Sequence, residues 1–268
     1  MPASVQWSER GFVAVIELTN LTKVYAATRK GGAPTVAVED VSLSISRGEF
    51  CAVVGPSGCG KTTVLNLVAG FEKSTQGQVL IDGTPVTRPG PERAVVFQQP
   101  SLLPWMTVHE NVGFGLTLRD KSNHGHDEAI GQMIDIMGLE GFEHHYPYQL
   151  SGGMQQRAAI GRALITEPTM LLMDEPFGAL DAQTRSEMQR FLLELWRSWH
   201  PTVLFITHDV DEAILLSDRI VVMTPRPGTI AAEIPVTLKR PRQWDVVLSQ
   251  EFLHYKKRIL SVLRREIG

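Results

Sequence analysis

The sequence predicts an α/β fold with a mixed, mainly parallel sheet, an antiparallel β edge and an inserted helical subdomain. Two apolar runs, 50–54 and 170–173, are typical of strands buried on both faces of a sheet. The stretch from 101 to 167 instead has helical periodicity and almost no strand signal. A chain of 268 residues is long enough for one large domain with an insertion.

The first half of the sheet is predicted from alternation and from one buried run. Apolar and polar residues alternate at 12–24 and again at 36–45, which predicts two strands at the antiparallel edge. A bridge containing Gly and Pro joins them. The apolar run 50–54 predicts a central strand, and a helix over 62–69 follows it and ends at Gly70.

The second half of the sheet is predicted from two further apolar runs. The runs 170–173 and 203–206 predict parallel strands, and helical spacing predicts a helix over 183–199 between them. Polar residues follow both runs directly. Because the carboxyl ends of parallel strands meet at one edge of a sheet, these polar residues predict a site there. Two more helices are predicted in the helical subdomain, over 127–137 and 153–164.

These elements divide the chain into a core and an insertion with flanking segments. The predicted parts are an N-terminal extension at 1–12, a sheet-containing core whose first part is 13–98, a helical subdomain at 99–167, the second part of the core at 168–232, and a C-terminal helical tail at 233–268.

Charge and hydropathy exclude several classes of function. The formal net charge of −3 and the pI of about 6.2 give no global positive field, so nucleic acid is not an expected partner. The chain shows neither a secretory signal nor an apolar run near the ~20 residues that span a bilayer. Cys51 and Cys59 are too close in the sequence for a stabilising disulfide, which fits a reducing compartment. We therefore expect a cytoplasmic chain that reaches the membrane through a partner.

A glycine-rich loop carries the strongest chemical signal. The segment Gly55-Pro56-Ser57-Gly58-Cys59-Gly60-Lys61-Thr62 fits the pattern G-x-x-x-x-G-K-[ST] between a predicted strand and a predicted helix. Glycines let backbone N–H groups turn toward a phosphate, and the helix N-terminus adds positive charge. Lys61 can reach the β- and γ-phosphates, Thr62 can bind Mg²⁺, and Thr63 can donate to the α-phosphate. The sequence therefore predicts a P-loop NTPase core that binds ATP with Mg²⁺.

Two carboxylates at the end of the run 170–173 complete the predicted chemistry. Asp174 is expected to hold Mg²⁺, and Glu175 to polarise the water that attacks the γ-phosphate. An Asp-Glu pair after a strand is ordinary by itself, as a capped strand end. The phosphate loop upstream favours the catalytic interpretation.

A second glycine-containing segment identifies the family. Leu150-Ser151-Gly152-Gly153-Met154-Gln155-Gln156-Arg157 resembles the signature sequence of ABC ATPases, which grips the ATP held by the opposite subunit. The resemblance implies a dimer with a second ATPase subunit, in which Ser151, Gly152, Gly153 and Gln155 contact the partner's nucleotide. A simple glycine N-cap is the structural alternative.

Other positions match the same family in order. The resemblance implies that Gln98 senses Mg²⁺ and links the core to the helical subdomain, that Asp181 lies in a loop crossing the dimer interface, and that His208 contacts the γ-phosphate. Tyr25 resembles the aromatic residue that stacks on adenine. The bridge at 26–35 is longer than the family usually shows, so a tyrosine that merely packs at a strand edge stays open as the alternative.

The segment Leu102-Leu103-Pro104-Trp105 points to one branch of the family. Together with neighbouring motifs it resembles the nitrate, sulfonate and taurine importers, which implies transmembrane permease subunits and, indirectly, an extracytoplasmic solute-binding protein as partners. In the family this region receives a helix of the permease, although Trp105 could instead pack internally. A non-transport ABC ATPase acting as a clamp, and a P-loop kinase, are the rival interpretations.

Two further expectations concern single features. The tail at 246–267 is basic and amphipathic, and it either covers the domain with one face or lies on anionic lipid. The backbone N–H groups around Cys59 are expected to lower the pKa of its thiol.

Overall fold

The computed structural model describes residues 14–27, 32–119 and 126–267. The predicted N-terminal extension at 1–12 and the middle of the predicted bridge at 26–35 lie outside the described residues.

The described residues form ten strands. They are β1 (Ala14–Tyr25), β2 (Thr35–Ser46), β3 (Phe50–Val54), β4 (Gln76–Ile81), β5 (Thr84–Pro85), β6 (Arg93–Val96), β7 (Met170–Asp174), β8 (Thr202–Thr207), β9 (Arg219–Met223) and β10 (Ile230–Pro235).

Seven α-helices and two short 3₁₀ turns are present in the same residues. The helices are α1 (Lys61–Ala69), α2 (Val108–Arg119), α3 (His126–Ile136), α4 (Gly152–Leu164), α5 (Ala182–Trp199), α6 (Val210–Leu216) and α7 (Gln250–Ile267), and the turns are Pro147–Gln149 and Trp244–Leu248.

A six-stranded sheet in the order β10-β9-β3-β8-β7-β6 forms the centre of the fold. All its neighbouring pairs are parallel except β10 and β9. The central strand β3 is buried at every residue, as its uniformly apolar sequence predicts. The predicted fold class is confirmed.

Strands β1 and β2 differ from the prediction in one respect, because they do not extend the central sheet. With β4 and β5 they form a separate antiparallel sheet in the order β2-β1-β4-β5. Over 41–45, β2 alternates buried and exposed residues, and Ile16, Leu18 and Leu21 of β1 join the same apolar face. That face covers α1, which is packed between the two sheets. Backbone bonding at Val38 and Gly228 joins this sheet to the loop between β9 and β10.

The opposite face of the central sheet is covered by helices. The ring of Phe50 packs there against two others, with its centroid 6.1 Å from that of Trp196 and 5.6 Å from that of Phe205. Helices α2, α3 and α4 extend this core, and the described residues from 97 to 169 contain no strand. The boundaries of the helical subdomain stay a prediction.

The C-terminal helix α7 packs on the domain. Phe252, Tyr255 and Ile259 are buried in the main core, and the Tyr255 hydroxyl is 2.8 Å from the Thr237 hydroxyl. Of the two alternatives for the tail, the structure therefore supports the one in which it covers the domain. None of the helices in the described residues is both long and apolar enough to cross a membrane.

Candidate nucleotide-binding and hydrolysis site

The phosphate loop lies between the buried strand β3 and the N-terminus of α1. Gly58 and Gly60 have φ angles of 76° and 101°, in the region that favours glycine. A Cβ on Gly60 would lie 2.5 Å from Val38 Cγ1, so a side chain does not fit there. The loop therefore approaches β2 closely and presents backbone N–H groups at a helix N-terminus, which suits an anion.

Lys61 folds back over this loop. Its side chain is buried, and Nζ donates to the carbonyl oxygens of Gly55 and Pro56 at 2.9 and 3.1 Å. These two acceptors compensate a charge that would be costly to bury alone. The ammonium group is thus held at the loop, where a phosphate would be bound.

Cys59 corrects the expectation about its thiol. Burial raises the pKa of Cys59, and the nearby Lys61 ammonium, whose Nζ lies 3.9 Å from Sγ, opposes this only in part. The predicted lowering of the pKa is wrong because the side chain points into the core between the sheets, away from water.

Two of the three residues predicted to bind magnesium, Thr62 and Asp174, meet at the end of β7, and no hydrogen bond joins Gln98 to them within the described residues. Thr62 Oγ1 donates to Asp174 Oδ1 at 3.2 Å. Burial, and secondarily the charge of Glu175, raise the pKa of Asp174, whereas the Thr62 hydrogen bond and Lys61 lower it. No group of three or more His, Cys, Asp and Glu side chains that could hold a metal occurs in the described residues. Hydroxyl and carboxylate oxygens still fit Mg²⁺, which usually binds few protein ligands and completes its shell with water and phosphate oxygens.

Glu175 and His208 form a pair at the ends of β7 and β8. Glu175 Oε2 is 2.9 Å from His208 Nδ1. The Glu175 backbone has a φ of 44°, and its N–H donates to Ile206 O at 2.9 Å. The unusual backbone turns the carboxylate toward the histidine, and His208 is 62% exposed at the surface. The adjacent parallel strands β7 and β8 therefore bring a carboxylate and an imidazole together next to the Thr62–Asp174 pair.

Gln98 and Glu175 both lie next to Gly178. A Cβ added to Gly178 would be 3.2 Å from Gln98 Nε2 and 3.7 Å from Glu175 Oε2, so both side chains face this glycine. Gln98 is exposed. Its amide is consequently in place to reach a ligand bound between the loop and Glu175.

Tyr25 lines a cavity beside the phosphate loop. The cavity has a volume of about 380 Å³, and Thr63 and Arg226 line it as well. The Tyr25 hydroxyl donates to Glu72 Oε1 at 2.9 Å, and burial raises the pKa of Tyr25. Stacking of Tyr25 on adenine stays a prediction. Sequence reasoning missed Glu72 and Arg226, because no local pattern distinguishes them.

The signature segment lies at the start of α4, next to α5 rather than at the phosphate loop. Ser151 caps α4 by accepting from Met154 N–H at 3.3 Å, and Ser151 and Gly152 are exposed. A Cβ on Gly153 would lie 2.7 Å from Thr184 Cγ2. Within the described residues no hydrogen bond joins 151–153 to the phosphate loop, so the two anion sites of one chain are separate.

Two other predicted contact residues have structural partners in the chain. The Gln155 amide donates to the carbonyl oxygens of Pro147 and Leu150 at 2.9 and 3.3 Å, which holds the turn before the signature. Asp181 caps α5 and accepts from Gln183 N–H and Thr184 N–H, and the Thr184 hydrogen bonds lower the pKa of its carboxyl. Asp181 is exposed, so its outer edge faces solvent.

Trp105 lies at the surface with 69% of its area exposed, so it does not pack internally. The loop that carries it is held from below by Asn111, a buried residue that sequence reasoning missed. The Asn111 side chain accepts from Leu103 N–H at 2.8 Å and donates to the carbonyl oxygens of Leu103, Met106 and Thr107. An exposed tryptophan on a well-supported loop is typical of an interface.

The fold and this site define a P-loop nucleotide-binding protein. Residues 38–178 match the ABC transporter family. The nitrate import ATP-binding protein NrtD of Synechocystis sp. is 42% identical over 255 residues, which are 93% of this chain and 95% of NrtD. The aliphatic sulfonates import ATP-binding protein SsuB of Bacillus cereus is 44% identical over 224 residues, which are 84% of this chain and 87% of SsuB.

A solved structure supports the same assignment. A dimeric ATP-binding cassette in a post-hydrolysis state, bound to ADP and Pi, has a TM-score of 0.70 and 33% sequence identity, and the match covers 82% of this chain and 98% of that chain. The chain belongs to the ABC transporter family and is an ATP-binding ATPase. Its predicted resemblance to the nitrate and sulfonate importers is confirmed, and the rival clamp and kinase interpretations are not favoured.

Proposed function

We propose that this chain is the ATP-hydrolysing subunit of an ABC importer for a small anion or sulfonate, such as nitrate, an alkanesulfonate or taurine. The Glu175–His208 pair beside Thr62 and Asp174 is the observation that supports the catalytic part of this proposal, because a carboxylate in that position can serve as a base next to the expected phosphate and metal ligands. The relatives named as nitrate and sulfonate import proteins support the class of solute.

Phosphate binding rests on the loop and on Lys61. The loop N–H groups take the β-phosphate, and the Lys61 ammonium exchanges its two carbonyl acceptors for phosphate oxygens. Thr63 donates to the α-phosphate, and Tyr25 lies against the adenine ring. The buried position of the ammonium makes this exchange favourable, because a phosphate brings negative charge to a site with little water.

Thr62, Asp174 and Gln98 are the residues that would hold Mg²⁺. When bound, the ion neutralises charge on the β- and γ-phosphates. Asp174 has to be ionised to serve as a ligand, and burial works against that state. The Thr62 hydrogen bond and the Lys61 charge favour the ionised carboxylate, so these neighbours prepare the ligand.

Glu175 acts as the general base, and His208 holds it. The hydrogen bond from His208 Nδ1–H fixes the direction of the carboxylate. In the imidazolium form, in which both ring nitrogens carry a proton, His208 also donates to the γ-phosphate from Nε2. Gln98 faces the same position and orients the attacking water together with Glu175.

The site of one chain is completed by a second copy. Ser151 and Gly152 are exposed at a helix N-terminus, and they have no phosphate site of their own chain beside them among the described residues. In a head-to-tail homodimer, Ser151–Gly153 of each protomer would face the ATP bound to its partner, and Asp181 would lie at the interface. The dimeric relative bound to ADP and Pi supports this arrangement.

Coupling to transport is assigned to the Trp105 loop. We place the chain on the cytoplasmic face of the membrane, where Trp105 docks on a permease subunit and Gln98 links that contact to the nucleotide. An extracytoplasmic solute-binding protein would deliver the anion to the permease without touching this chain.

Reconstitution tests the whole proposal. The chain is purified with the membrane subunits of its own transporter and placed in liposomes with ATP inside and the solute-binding protein outside. Uptake of nitrate, taurine and an alkanesulfonate is assayed, with a sugar and a metal ion as comparison solutes. We expect ATP-dependent uptake of one of these solutes, and none with Glu175→Gln protein in the same preparation. A transporter that moves sugars or metal ions instead would overturn the assignment of the solute class.

A further inference from the structure

The cavity beside Tyr25 contains a second group suited to a nucleobase. Arg226, in the loop between β9 and β10, lines the cavity together with Tyr25 and Thr63. Thr63 belongs to the N-terminal turn of α1, which places the cavity directly beside the phosphate loop. A nucleotide whose phosphates occupy the loop would therefore extend its base toward this space.

The structure holds Arg226 in place at this cavity. Its Nε donates to Gly58 O at 3.2 Å, which ties the side chain to the phosphate loop. The β9–β10 loop that carries Arg226 is also bonded to β2. Gly228 N–H donates to Ala37 O, and Glu39 N–H donates to Gly228 O, both at 3.0 Å.

The β9–β10 loop also packs closely against the phosphate loop. A Cβ on Gly228 would lie 1.9 Å from Cys59 O, so only glycine allows the loop to approach the phosphate loop this closely. Within the loop, the Thr224 hydroxyl accepts from Thr229 N–H at 2.9 Å. A side chain on such a loop is positioned before a ligand binds, which lowers the entropic cost of binding.

The chemistry of the guanidinium fits a flat aromatic ring. Nη1 and Nη2 of Arg226 make no hydrogen bond within the described residues, and the residue is exposed. A guanidinium is planar and stacks on aromatic faces, and every nucleobase offers such a face.

We propose that Arg226 is a nucleobase-binding residue whose guanidinium plane packs on one face of the base while the Tyr25 ring packs on the other. This inference rests on the proposed ATP binding and deepens it, because it assigns a contact that no local motif indicates. Stacking tolerates any base, so ATP and GTP are both expected to use the contact.

The competing role for Arg226 is a brace of the phosphate loop through Gly58. The two roles differ in what they demand of the side chain. A lysine can still donate to Gly58 O and keeps the charge, but it has no plane to stack. The Arg226→Lys variant therefore keeps the brace and removes the proposed contact.

Titration calorimetry with ATP, GTP and inorganic tripolyphosphate tests the proposal. All proteins carry Glu175→Gln so that ATP is not consumed, and Arg226→Lys and Arg226→Ala are compared with the parent. We expect both variants to bind ATP and GTP about fivefold to tenfold more weakly, with tripolyphosphate binding unchanged. Arg197→Ala, which removes an exposed arginine at the far end of α5, is the matched control and should bind all three ligands like the parent.

Two results would overturn the inference. Equal weakening of ATP and tripolyphosphate by Arg226→Ala would assign the residue to the phosphates or to the brace. Unchanged ATP binding in Arg226→Lys would show that the plane makes no contact. Failure of the parent protein to bind ATP would be a different outcome, because it would contradict the proposed function itself.

Discussion

The carboxylate of Glu175 is directed by its own backbone and by two neighbours. Its φ of 44° lies in the left-handed region, where a residue other than glycine is held at a cost of about 1–3 kcal/mol. The hydrogen bond to Ile206 O and the contact with His208 stabilise this conformation. Strain of this kind is retained where a side chain has to point in one direction.

Replacing Glu175 with Gln removes the base and leaves the shape of the side chain. We expect ATP to bind, and turnover to fall by about 100-fold or more, because general-base catalysis contributes at least that factor. Steady-state ATPase assays and nucleotide titration measure the two quantities separately. The bound, unhydrolysed ATP should also hold the protein as a dimer in size-exclusion chromatography with light scattering.

The control for this variant is Glu194→Gln, an equal change at an exposed position of α5. It should leave both turnover and ATP affinity unchanged. Normal turnover by Glu175→Gln would show that the base lies elsewhere.

The contact between α4 and α5 sets the position of the signature segment. Gly153 lies against Thr184, and Thr184 in turn donates its hydroxyl to Asp181 at 2.6 Å. Thr184 is β-branched, so its methyl group cannot rotate away without breaking that hydrogen bond. The two loops that are expected to reach the partner subunit are thus packed on each other.

Substituting Gly153 with Ala tests this packing. The added Cβ would lie 2.7 Å from Thr184 Cγ2, and we expect a loss of about 1–3 kcal/mol in the free energy of unfolding. Adding Thr184→Ser should restore stability, because it removes the methyl and keeps the hydroxyl. If Gly153 also contacts the partner's nucleotide, ATPase activity stays low in the double variant.

Chemical denaturation and ATPase assays separate these two effects. Thr184→Ser alone is the control and should retain both stability and activity. A double variant that regains full activity would limit Gly153 to a packing role, and one that regains no stability would contradict the assigned contact.

A buried carboxylate links three elements behind the Glu175–His208 pair. Glu212 in α6 accepts hydrogen bonds from Thr207 at the end of β8 and from Gln189 in α5, the latter at 3.0 Å. Burial raises the pKa of Glu212, the Asp209 charge adds to this, and Arg185 opposes it. The folded protein therefore holds a proton at Glu212 to a higher pH than the unfolded chain.

This shift gives a pH dependence of known sign. Since the folded state binds the extra proton, stability falls as the pH rises from about 4.3, the ordinary pKa of glutamate, through the raised folded value. Because glutamine does not titrate, the Glu212→Gln variant should lack the decrease in stability that Glu212 causes as the pH rises. We expect its free energy of unfolding, relative to the wild type, to increase between pH 4.5 and pH 7.5 in urea titrations. A constant difference would show that Glu212 titrates alike in both states.

At the scale of the whole molecule, the sequence predicts the parts that are locally encoded. Uniformly apolar composition predicts β3, and the prediction has the observed bounds, Phe50–Val54. The helix predicted at 183–199 is observed at Ala182–Trp199 because Asp181 is a clear N-cap. The phosphate loop and the Asp174-Glu175 pair are found for the same reason, since motif and strand are continuous in the chain.

Other parts depend on tertiary structure and give no such signal. Strand β6 is short and only partly buried, and β10 lies on the edge of the sheet with one buried residue, so neither has a distinctive pattern. The separation of β1 and β2 into their own sheet follows from packing on α1 rather than from their alternation. Likewise Arg226 reaches Gly58 across 168 positions, which no local spacing can predict.

The proposed homodimer would complete each ATP site with residues of both chains, because the signature segment lies at the start of α4 and not at the phosphate loop. Lys61 of one chain would act with Gly152 of the other, so damage to either residue in a homodimer destroys both sites. Gly152→Asp places a negative charge where the partner's triphosphate is expected, while an acidic residue in the first helical turn favours α4 itself. Lys61→Ala removes the phosphate ligand.

Mixing these two inactive proteins should restore activity. In a mixed dimer, the intact phosphate loop of the Gly152→Asp chain meets the intact signature segment of the Lys61→Ala chain, so one site is complete and the other is doubly damaged. We expect ATPase activity in the mixture after the subunits exchange, and none in either protein alone. In the control, the double variant Lys61→Ala/Gly152→Asp is mixed with wild type. Each ATP site of a mixed dimer then contains one damaged and one intact element, so neither site is complete. ATPase activity of the Gly152→Asp protein by itself would contradict the proposed homodimeric mechanism. So would an inactive mixture in which two different affinity tags show that mixed dimers have formed.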